Sequence, residues 1–261
     1  LLKILHDGKI SPHIINGAGK LISYPSLKTD EVNQQIILGS LYADAAGNES
    51  NGIFFSSLQT ENDSVVAEKF IPFTPDFLGL FSGDNPPKKT DAFLNFKAKD
   101  MIVRADGGII FLAEAVSIST ESFNNPGYGS FGVSASMTIN YYHFDDVLAV
   151  SLSPTGEIEW NRVFRKKQQT EGDGGYYSSF CTFIGAGQLN FIYNDWVNGE
   201  VNVSDFTMSP TGANDRSDLF NAERKGVMVI PRNAKQISMN ELIMPSMLRN
   251  YFQLVKISFG N

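Results

Sequence analysis

The phrase Ser-Pro-Thr-Gly stands twice in this chain, at residues 153–156 and 209–212, each time after one strand-like run and before another. A turn of fixed chemistry between two strand-like runs marks a hairpin, and recurring hairpins mark a repeated sheet unit. Helical periodicity is scarce. Residues 240–251 could supply a turn or two, but Pro245 would break a longer helix there.

The rest reads as short strands. Residues 36–42 and 52–58, joined by a polar stretch with Gly47 and Asn48, form a hairpin, and residues 65–70 add a third strand to the meander. The turn Asp106-Gly107-Gly108 feeds residues 109–116; after a long insertion, residues 146–152 run through Ser-Pro-Thr-Gly into 157–164. A third copy opens at Asp173-Gly174-Gly175 and continues through residues 188–193, 201–208 and 213–220; a shorter fourth occupies 236–238, 241–244 and 252–257. The expected fold is all-β, a β-propeller-like array of antiparallel meander blades in a partial or closed ring, as one domain over residues 1–261. Residues 1–5, the Asp7-Gly8 turn and Ile10 read as strand, turn and strand, so the numbering is expected to start inside a repeat, with an N-terminal portion and any signal peptide lying outside this sequence. Residues 254–257 resemble 2–5 in pattern, and the two ends could complement each other.

Composition removes several function classes. A net charge of −7 argues against a nucleic-acid surface, and the one basic run, Arg165-Lys166-Lys167, is expected to be a solvated strand end. No window reaches the roughly 18 to 20 apolar residues of a membrane helix. The single cysteine, Cys181, lies between Phe180 and Phe183 and is expected to be a packed thiol. His6, His13 and His143 lack metal-ligand spacing, so neither a metal nor a cofactor is expected. Gly17-Ala18-Gly19-Lys20 lacks the remaining residues of a phosphate loop and reads as a turn; residues 127–132 have the wrong spacing for a nucleophile elbow. Asp205, Asp215 and Asp218 are expected to be solvated loop acids. The triplets starting at Asn48, Asn62 and Asn202 match glycosylation acceptors only by chance.

Asp145-Asp146 with Glu157 and Glu159 raises the question of paired carboxylates for glycoside hydrolysis. Glu157 and Glu159 alternate on one strand face and Asp146 opens another strand, which favours outward polar positions and a turn cap. The insertion 119–143 is rich in Gly, Ser, Asn and aromatic residues, among them Phe123, Tyr128, Phe131, Tyr141 and Tyr142. Loops of that length carry function or disorder, and Tyr in a Gly/Ser setting offers rigid contact area for a protein or a sugar ring; Tyr141 and Tyr142 could equally start the next strand.

The units at Asp106-Gly107-Gly108, residues 146–152, Pro154-Thr155-Gly156 and 157–160 with Trp160 resemble the β-propeller-like repeats of envelope or secreted proteins of Bacteroidota-type bacteria, as do the segments 142–146 and 173–179. The resemblance covers residues 102–195, and Arg216 stands where the third copy should carry Trp. It implies a scaffold and a location, exported and periplasmic or outer-membrane associated, with no catalyst among its motif residues. The leading expectation is therefore a non-enzymatic interaction module bound to another envelope protein, such as an outer-membrane β-barrel that it docks on or plugs. The second reading is a carbohydrate-binding module using Tyr176, Tyr177 and Trp196 beside Asn194 and Asp195, and the third a propeller glycoside hydrolase.

Overall fold

A computed structural model describes residues 2–4, 7–44, 50–74, 77, 79, 80, 95–125, 135–185 and 187–260. The chain is all-β, built from antiparallel up-and-down meanders of the propeller-blade type. Strands β1 (Leu2–Ile4) and β2 (Ile10–Pro12) pair across a turn in which Lys9 N–H donates to Asp7 Oδ1 at 3.1 Å. A four-stranded sheet follows in chain order: β3 (Lys20–Asp30), β4 (Gln35–Asp44), β5 (Gly52–Gln59) and β6 (Val65–Pro72).

The next sheet orders β7 (Phe96–Val103), β8 (Ile109–Asn125), β9 (Ala135–Leu152) and β10 (Ile158–Phe164), with β11 (Gln168–Glu171) also pairing β9. Strands β12 (Phe180–Gly185), β13 (Gln188–Val197), β14 (Glu200–Met208) and β15 (Asn214–Asn221) form a third meander. The last, β16 (Lys235–Gln236), β17 (Glu241–Leu248) and β18 (Tyr251–Ser258), has three strands. Residues 241–248 are thus a strand rather than a helical turn, because Leu242, Met244 and Ser246 alternate inward and Pro245 does not interrupt a strand's period of two.

The repeated phrase makes the same turn twice. Gly156 N–H donates to Ser153 O and Gly212 N–H to Ser209 O, both at 2.9 Å; the Ser hydroxyls accept from Glu157 N–H and Ala213 N–H, both at 3.1 Å. Gly156 and Gly212 take φ of 76° and 79°, a region closed to most side chains. The two Asp-Gly-Gly turns share one bond, Asp106 Oδ1 accepting from Gly108 N–H at 3.1 Å and Asp173 Oδ1 from Gly175 N–H at 2.8 Å, but only the first joins paired strands.

Two compact units make up the chain, residues 1–113 with 148–163 and residues 114–147 with 164–261. In the first, β4 and β5 bury Ile37, Leu41, Ile53, Phe54 and Phe55, and Phe70 packs on Phe54 and Tyr42 with ring centroids 4.8 and 5.1 Å apart. Gly39 lets β4 close on its neighbours, since a Cβ there would stand 2.9 Å from Met101 Sδ and 3.2 Å from the Phe111 ring. In the second unit β13 is buried on both faces. Phe191 and Tyr193 meet Phe164 and Phe206, while Ile192 joins Phe183, Val203, Leu242 and Met244. Cys181 packs on that second cluster, its Sγ 3.9 Å from Met244 Sδ.

Three expectations change. The segment 119–143 is mostly strand: β8 runs on to Asn125 and β9 starts at Ala135. Alternating Val116, Ile118 and Thr120 favour extension, and Ser119 Oγ lies 2.9 Å from His143 Nε2, as Thr120 Oγ1 does from Asn140 Oδ1. Lys166 is not solvated; its side chain is fully buried against Glu114. Asp205 lies inside β14, buried and bonded by Asn190 Nδ2 at 2.7 Å, because the inward face of that strand includes its position.

Candidate active site

A pocket of about 710 Å³ opens in the second unit, lined by Asp145 and Asp146 of β9, the segment 165–167, the end of β13 from Asp195 to Asn198, and Arg216 of β15. Its size is that of a small-molecule or sugar site. Asp146 is not the start of a strand but lies within β9. It pairs with Arg165 and accepts a bond from the Lys166 main-chain N–H. Burial pushes its carboxyl above the ordinary carboxylate range, with Arg165 opposing and neighbouring Asp145 reinforcing the rise.

Asp195 pairs with Arg216, and Ser204 Oγ, 3.4 Å away, donates to the same Asp195 oxygen. Ser204 Oγ also lies 2.6 Å from Asp218 Oδ1, so this carboxylate pair is held by groups from three adjacent strands. Next to it Trp196 leaves the core: side chains alternate along β13, so the register that buries Tyr193 and Asp195 on one face puts Trp196 on the other, at the strand's end, where it is 54% exposed.

A buried ionic network braces these strands. Lys166 Nζ lies 2.7 Å from Glu114 Oε1 and donates to Phe144 O at 2.6 Å and Gln168 Oε1 at 2.9 Å. Glu114 Oε2 accepts from Ser179 Oγ at 2.6 Å. Gln168 Nε2 donates to Asn194 O at 2.7 Å, and Gln168 N–H reaches Asp145 Oδ1 at 3.3 Å. The network therefore touches Asp145 and Asn194, the chain neighbours of Asp146 and Asp195.

Among the described residues singled out from sequence as an interaction surface, only Trp196 lines the pocket. Tyr176 and Tyr177 form an edge-on pair 5.1 Å apart in the Asp173 turn region. Tyr141 and Tyr142 are half-buried in β9 opposite Glu171 and Thr170 of β11, and Phe123 is exposed on β8. Tyr128 and Phe131 lie outside the described residues. Asn194 is no sugar contact: it is buried, and its Nδ2 donates to Tyr177 O and Val229 O. Glu157 and Glu159 are spent on ion pairs with Lys69 and Arg104 in the first unit, where Ser151 Oγ also donates to Glu159 at 2.8 Å. Sequence reasoning missed Arg165 and Arg216 as pocket residues; no motif marks them, and only the folding of β15 and the β10–β11 link beside one pocket brings them together. Among the described residues no group of three His, Cys, Asp or Glu side chains is placed to hold a metal, and no helix is long and apolar enough to cross a membrane.

No family model and no curated protein sequence matches the chain. Solved structures do. A family 117 glycoside hydrolase of the marine bacterium Zobellia galactanivorans is 13% identical with a TM-score of 0.40, over 95% of this chain and 73% of that one. A family GH43 β-1,3-galactosidase with galactodeoxynojirimycin is 10% identical, TM-score 0.33, over 93% of this chain and 74% of that one. Bacillus subtilis levansucrase in complex with oligosaccharides is 8% identical, TM-score 0.31, over 94% of this chain and 85% of that one. These structures are all of carbohydrate-active enzymes, and that finding corrects the expectation of a non-enzymatic interaction module. Likeness at this level gives no residue roles, so the chemistry below is built from this chain's own pocket.

Proposed function

We propose that the pocket of the second unit binds a glycan and hydrolyses a glycosidic bond. The observation that carries the reading is the meeting, in one pocket, of the arginine-paired carboxyls of Asp146 and Asp195, the first pushed towards its neutral form by burial, with an exposed indole. Glycoside hydrolysis needs one carboxyl that keeps its proton and one that does not. Asp146 suits the first role: burial favours its neutral form, and its O–H can protonate the glycosidic oxygen as the C–O bond breaks. Asp195, ion-paired to Arg216, suits the second as the carboxylate that takes a proton from the water adding to the anomeric carbon. The proton gained by Asp195 and the one lost by Asp146 return through solvent, so the cycle balances. Trp196 offers a flat apolar face on which a sugar ring can stack.

The test is release of reducing ends from a panel of polysaccharides by the purified chain and by Asp146→Asn and Asp195→Asn. The reading expects cleavage of at least one glycan, lowered at least a hundredfold by either substitution in a chain that still folds. Cleavage that survives both substitutions places the chemistry elsewhere.

A further inference from the structure

The pocket holds charges of both signs, but not at the same depth. In the Asp146–Arg165 pair the carboxylate side chain is 22% exposed and the guanidinium 52%; in the Asp195–Arg216 pair the values are 9% and 43%. Lys167 adds a third exposed cation to the lining, while Lys166 is buried with Glu114 and contributes nothing at the surface. Asp146 and Asp195 thus lie deeper than the guanidinium groups they pair with. An entering ligand meets Arg165, Lys167 and Arg216 first, in a chain whose net charge is −7.

A guanidinium carries five N–H donors in a planar fork, and one carboxylate does not exhaust them. Arg216 can therefore keep its carboxylate and still receive an anion from the solvent side. An ammonium such as that of Lys167 serves as a compact point charge beside them. A neutral sugar accepts hydrogen bonds from these groups but does not pair their charge. A sugar bearing a carboxylate or a sulfate ester does, and Trp196 can take the face of its ring at the same mouth.

We infer that the pocket selects an acidic glycan, one whose sugar carries a uronate carboxylate or a sulfate ester that Arg165, Lys167 and Arg216 receive at the mouth. The inference rests on the glycan reading of the same pocket. It also gives binding a chemical consequence. An anion drawn to Arg165 competes with Asp146 for that guanidinium, which leaves Asp146 with more of the proton affinity that burial confers, in the complex where an acid is needed.

The experiment compares a polyuronate, a sulfated galactan and their neutral counterparts, the methyl-esterified polyuronate and the desulfated galactan, for binding by calorimetry and for reducing-end release. At least one acidic polymer should bind at least tenfold more tightly than its neutral counterpart, with the advantage shrinking in high salt and in Lys167→Gln. Preference for the polyuronate identifies the carboxylate as the group received, and preference for the galactan the sulfate. Equal binding and cleavage of acidic and neutral polymers overturns the inference and leaves glycoside hydrolysis standing. Selective binding of an acidic polymer with no cleavage of any supports the inference and removes hydrolysis. An unchanged acidic preference in Lys167→Gln, with circular dichroism confirming the fold, removes Lys167 from the account.

Discussion

Replacing Lys166 with Met should cost about 3–5 kcal/mol of stability. The Lys166 side chain is fully buried and that of Glu114 is 2% exposed, with 2.7 Å between Nζ and Oε1. Methionine fills nearly the same volume, so packing changes little. What changes is that Glu114 is left charged in the interior with Ser179 Oγ as its hydrogen-bond partner, while Phe144 O and Gln168 Oε1 each lose a donor. The double variant Glu114→Gln with Lys166→Met removes both charges and keeps an acceptor for Ser179. It should recover at least half of the loss, because the penalty of the single variant is an uncompensated charge rather than a missing attraction. Urea unfolding followed by tryptophan fluorescence reads both variants. A single-variant loss under about 1 kcal/mol, the worth of an exposed pair, would refute the buried-network account.

Asp205→Asn should stabilise the chain at neutral pH. Burial raises the Asp205 carboxyl to about 6 from 3.8, so the folded state binds the extra proton, and stability contributed by this residue falls as pH climbs from about 4 to about 6. The substitution should flatten that fall and add on the order of 3 kcal/mol at pH 7, read as the urea midpoint at several pH values. Gly156→Ala should lower stability by about 1–3 kcal/mol, more than Gly172→Ala. Both glycines have positive φ, but a Cβ at 156 would lie 2.8 Å from the Phe55 ring, whereas none within 4 Å awaits one at 172; thermal melts of the two variants make the comparison. Trp196→Ala should weaken glycan binding about five- to fiftyfold with little change in melting temperature, since the indole is exposed, and calorimetry checks it.

Hairpins were legible because their turns are local. The two Ser-Pro-Thr-Gly phrases fold as twins, and the strands on either side of them follow from alternation. Strand β12 was missed because it is six residues with a glycine at its end, and β11 because its four residues are polar. The insertion 119–143 read as a loop because Gly, Ser and Asn near its centre outweighed the β-branched residues that extend β8 and β9. The pocket was hardly legible. Trp196 and Asp195 drew notice as an aromatic and an acid in sequence, yet Arg216 and Asp146 come from other strands and Arg165 from the link between β10 and β11, and that juxtaposition leaves no mark in composition. Lys166 misled for a related reason: a run of three cations looks solvated until the link between β10 and β11 turns the middle one inward against Glu114.

The most direct test of Asp146 as the proton donor compares wild-type and Asp146→Asn chains on two glycosides of the sugar that the polymer panel selects. One bears a dinitrophenyl leaving group that needs no proton, the other an alkyl leaving group that does. The account predicts that kcat/KM for the alkyl glycoside falls about 10²- to 10⁴-fold in the variant while the dinitrophenyl glycoside is cleaved within about tenfold of wild type. Equal losses on both substrates, or no cleavage of either by the wild-type chain, would contradict it.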